Sequence, residues 1–74
     1  MTIYLCTMPD GFSRVKETVL EAEFVAEECA GQWCREMAEY ADIPNVTVVS
    51  EEGGCQVFEI ECEMDPVFIA SEVE

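Results

Sequence analysis

Two residue types are numerous enough here to do chemistry: carboxylates, with 17 Asp and Glu, and thiols, with five cysteines. Histidine is absent, and no serine or cysteine stands beside an obvious base, so nucleophilic catalysis has no activating partner. Carboxylate pairs of the glycosidase or divalent-metal type need a cleft to hold them, which one helix on a small sheet rarely makes. The thiols, Cys6, Cys29, Cys34, Cys55 and Cys62, form no C-x-x-C pair and have no histidine to complete a mixed metal site. Cys29 and Cys34 stand about 140° apart around a helix. Cys55 and Cys62 have opposite parity on a strand. An odd number of cysteines suits a reducing compartment, where the thiol is a small apolar core group. The expectation is a chain that is not an enzyme and takes no metal or cofactor.

The carboxylates are patterned. The first 35 residues hold all three bases, Arg14, Lys16 and Arg35, with six acids; from Glu36 onward there are eleven acids and no base. The net charge of −14 exceeds the magnitude of ~2–8 that keeps a small domain dispersed. Such a charge repels nucleic acid and anionic membrane and fits a basic protein surface. Glu59, Glu61 and Glu63 alternate along one strand, ~6.7 Å apart at a rise of ~3.3–3.4 Å per residue. That step resembles successive phosphates on a nucleic-acid strand, and these three residues are the expected partner-binding group. Glu51, Glu52 and Asp65 extend the row at its ends, and Glu72 and Glu74 flank it on the neighbouring strand. The helix acids Glu36, Glu39 and Asp42 are secondary contacts. A solvated strand face is the plainer source of such alternation.

The elements that hold these residues follow from periodicity. Met1 to Met8 reads as a strand, and Pro9-Asp10-Gly11 as a turn. Ser13 through Ala22 reads as a return strand, with a helix starting near Glu23; the alternative is one long helix from Ser13. Ala26, Cys29, Ala30, Trp33, Met37 and Tyr40 form a stripe that predicts the buried helix face. Gly31 marks close contact with the sheet, and Pro44 stops the helix. Val46–Ser50 is a strand, Glu51-Glu52-Gly53-Gly54 a hairpin turn, Cys55–Met64 a half-buried strand, and Val67–Val73 a last strand. The expected fold is a single α+β domain, ββαβββ, an antiparallel sheet with one helix on one face; the longer helix would make it βαβββ. No run approaches the ~18 apolar residues that span a bilayer, and Met1–Asp10 lacks the basic start of a signal peptide.

In length, acidity and element order the whole chain resembles the small acidic proteins of phages that block host defence, anti-CRISPR proteins in particular. The resemblance rests on no sequence motif. It implies a cytoplasmic, non-enzymatic inhibitor that occupies the nucleic-acid-binding surface of a CRISPR effector by mimicking its charge. Two alternatives stand beside it. One is an acidic antitoxin or immunity-type partner of a basic toxin or nuclease. The other is a phage structural protein that forms a homodimer through an exposed last strand.

Overall fold

The computed structural model describes residues 1–64 and 67–73. In chain order the elements are β1 (Thr2–Thr7), β2 (Ser13–Thr18), α1 (Ala22–Met37), β3 (Val46–Ser50), β4 (Cys55–Met64) and β5 (Val67–Glu72). The five strands form one antiparallel sheet in the order β2-β1-β3-β4-β5, with α1 packed on one face. This is the ββαβββ arrangement expected from the sequence, and residues 13–18 are strand, not helix.

Two hairpins share one turn chemistry. Gly11 donates its N–H to the Met8 carbonyl at 3.0 Å, and Gly53 donates to Ser50 at 3.0 Å. Both glycines have φ near +97°, where a side chain would be strained. Closure follows one residue later: Met8 N–H donates to the Phe12 carbonyl at 2.9 Å and Ser50 N–H to Gly54 at 2.8 Å. A tight turn followed by a left-handed residue suits the twist of the flanking strands, so each loop fixes its register.

One residue per strand period is buried under the helix: Cys6 and Met8 on β1 and its end, Val46 and Val48 on β3, Phe58 on β4, Phe68 and Ala70 on β5. Against them α1 places Val25, Ala26, Cys29, Ala30, Trp33 and Cys34. Gly31 permits the close approach anticipated for it, since a Cβ there would sit 3.1 Å from the Phe68 ring. The helix starts at Ala22, one residue before the expected Glu23, and ends at Met37. Met37 and Tyr40, expected in the buried stripe, are exposed instead. The reason is the stop: Ala38 turns left-handed at φ 54°, and Glu39 N–H donates back to the Cys34 carbonyl at 3.1 Å, closing a Schellman-type end. Tyr40, beyond Ala38, therefore leaves the helical stripe, whereas Met37 is the last helical residue and is exposed at the helix end.

The expectation that the thiols are core groups fails for two of them. Cys6, Cys29 and Cys34 are fully buried, but Cys62 is half-buried and Cys55 exposed, and none of the five forms a disulfide. A hydrogen bond with Cys29 and then burial push the Cys6 thiol up; the same bond pulls Cys29 down against its own burial. Among the described residues no helix is long and apolar enough to cross a membrane.

Candidate functional site

Cross-strand partners in an antiparallel sheet project to the same side, so the register assigns every strand residue to the helix side or to the uncovered side. Phe58, Ile60 and Cys62 of β4 face the helix with their β5 partners Glu72, Ala70 and Phe68. Glu59 and Glu61 therefore stand on the uncovered side, and Glu63 falls at the irregularity between Cys62 and Met64 where the register shifts; all three are exposed. Pairing of β4 with β3 runs from Cys55 to Phe58, so the three glutamates sit beyond it, Glu59 and Glu61 paired with β5 and Glu63 at the register shift. Opposite Glu59 and Glu61 on β5 are Ser71 and Ile69, not acids. This differs from the expected flank. Glu72 pairs with Phe58 and so has the wrong parity, standing on the helix side in a hollow with Glu21 and Glu23.

The remaining expected contacts divide between the two sides. Glu51 follows β3 on the uncovered side, tied to β1: its N–H donates to the Ile3 carbonyl at 2.9 Å, and its Oε1 accepts from Ile3 N–H at 3.1 Å. Glu52 is exposed in the same turn. The row is not continuous from this end, because Cys55 and Val57 lie between the turn and Glu59 on that side of β4. Glu36 lies on the helix and holds Arg14 at 2.7 Å. Glu39 and Asp42, expected on the helix, are exposed in the connection from α1 to β3, because the helix stops at Met37. Asp65 and Glu74 lie outside the described residues. Carboxylates thus occur on both sides of the sheet, and the ladder does not merge with the helix acids into one patch.

The bases do segregate. Arg14 and Lys16 pair with Cys6 and Tyr4 and therefore point to the helix side, and Arg35 is on the helix itself. Arg14 is held there by Glu36 and by the Phe12 ring, 4.1 Å from its guanidinium; Arg35 lies 6.0 Å over the Phe68 ring. A groove of about 590 Å³ on that side runs past Lys16, Phe24, Gly31 and Phe68. It shares no wall with the ladder. The uncovered side has carboxylates and no base to neutralise them.

Sequence reasoning missed what lies between the acids. Across β2, β1, β3 and β4, the residues Val15, Leu5, Val49 and Cys55 stand directly opposite one another in a single row. Ile3 lies beside it, flanked by Glu17 and Glu51. Val15 is 68% exposed and Leu5 41%. Alternation in Met1–Met8 and Ser13–Thr18 was the available signal, but only register aligns the strands. Among the described residues no group of acids and thiols is placed to hold a metal ion. No known protein family, curated protein or solved structure matches the chain.

Proposed function

We propose that this protein is a non-enzymatic inhibitor that binds a basic, nucleic-acid-handling host protein, of the CRISPR-effector kind, through a phosphate-mimicking acidic surface. The observation that carries the reading is Glu59 and Glu61, exposed on a face to which no Lys or Arg points, with Glu63 exposed at the bulge that follows them. Carboxylates spaced ~6.7 Å apart meet a groove of Lys and Arg much as consecutive phosphates do. Long-range attraction steers the encounter, and local charge matching fixes the register.

The test is capture from host lysate by the parent protein and by the triple variant Glu59→Lys, Glu61→Lys, Glu63→Lys. The parent retains a nucleic-acid-binding protein at low salt and releases it as salt rises, because exposed charges more than a Debye length apart are screened. The variant keeps its circular dichroism spectrum and loses the captured protein. Equal capture by both would reduce the ladder to a solvated strand face.

A further inference from the structure

We infer that the docking surface is the whole uncovered face of the sheet, and that its partner presents an apolar patch bordered by Lys or Arg. This rests on the reading above and adds the anchor that it lacks. Exposed ion pairs alone contribute little to affinity, whereas desolvated apolar side chains at the centre of an interface carry most of it. The face has that layout. Val15, Leu5 and Val49 form a row across three strands, with Ile3 on one side and Val57 on the other. Glu17 and Glu51 lie at the Ile3 end, and Glu59 begins the ladder at the Val57 end. Small proteins rarely leave large apolar residues contiguous on a surface unless something covers them.

Charge decides what covers this one. A second copy, at a net charge of −14, would bring acidic ends over acidic ends, since both ends of the face carry glutamates. Nucleic acid and anionic lipid are repelled for the same reason. A partner with an apolar centre and a cationic border satisfies the row and both ends together.

The experiment uses three peptides of equal length designed as amphipathic helices: Lys/Leu, Lys/Gln with the leucines replaced, and Gln/Leu with the lysines replaced. Affinities come from titration calorimetry at physiological salt, and the location from amide chemical shifts. The Lys/Leu peptide is expected to bind at least tenfold more tightly than either control and to perturb Leu5, Val15 and Val49. The double variant Leu5→Thr, Val15→Thr keeps strand propensity and should bind Lys/Leu no better than the parent binds Lys/Gln. If Lys/Gln matches Lys/Leu on the parent, the anchor is wrong and the acidic reading survives. If Gln/Leu matches it, the acidic reading falls and with it the cationic border. Failure of Lys/Leu to bind, or shifts confined to the groove by Phe24 and Phe68, overturns the inference. So does light scattering that gives a dimer which the double variant returns to a monomer.

Discussion

Asp10 shows how much one carboxylate does when it is tied to the fold. Its Oδ1 accepts the Phe12 N–H at 3.0 Å and its Oδ2 accepts the Trp33 indole N–H at 2.9 Å, linking the first turn to the helix. The Trp33 bond first, then the Phe12 bond, hold its pKa below the usual 3.8. A carboxyl depressed on folding stabilises the native state above its unfolded value and loses that contribution as pH falls through the folded one. Asp10→Asn retains a single acceptor oxygen and turns an amide N–H₂ towards the other donor. It should lower the melting temperature at pH 7, and the difference from the parent should close below about pH 3.8. The thiols make a second prediction at this scale. Cys55 is exposed, whereas Cys6, Cys29 and Cys34 are sealed under the helix. Thiolate formation needs solvent or a cation, so a thiol reagent should titrate Cys55 fast, Cys62 more slowly and the buried three only on denaturation. Simultaneous labelling of all five in native buffer would mean that the helix does not cover the sheet as described.

At the scale of elements, the strands and the helix were legible because their periods differ: alternation in Cys55–Met64 and three-to-four spacing from Ala26 to Trp33 leave little ambiguity. The helix stop was not, because Ala38 has no sequence signature for a left-handed position. Glycine is the usual occupant there, and an Ala holds its Cβ against the carbonyl. Ala38→Gly should therefore stabilise the domain by about 1 kcal/mol, less the greater chain entropy of glycine in the unfolded state. In a domain of this length that is a rise of several degrees in melting temperature. A fall would show that the turn is not left-handed. Parity was legible on single strands, except at the register shift between Cys62 and Met64, and failed between strands. Glu72 reads as a neighbour of the ladder until its pairing with Phe58 sets it on the helix side. The apolar row through Val15, Leu5 and Val49 has no signal in any one strand, since it exists only once the first hairpin sets β2 against β1 and the connection through the helix sets β3 against β1. The edge of β5 is likewise a product of packing: Glu27 on the helix accepts the Ala70 N–H at 3.1 Å, occupying a donor that an incoming strand would need.

For the whole molecule, the acidity acts in opposite directions on stability and on docking, which allows the two to be separated. A net charge of −14 with bases on one side of the sheet means that the uncovered face is under uncompensated repulsion. Salt screens this, so the melting temperature should rise between about 10 mM and 0.5 M salt, where the Debye length falls from ~30 Å to a few Å. A docked complex held by the same carboxylates should weaken over that interval. The triple reversal of Glu59, Glu61 and Glu63 to Lys removes the repulsion by another route, since each change adds two units and takes the net charge from −14 to −8. It should melt no lower than the parent at low salt, respond less to added salt, and still fail to bind. Acids placed merely for dispersion would give the first two results without the third. A variant that melts well below the parent would instead assign the ladder a structural role on β4, beyond its pairing with β3. Melting curves and binding isotherms on the same two proteins, at the same two salt concentrations, distinguish these cases.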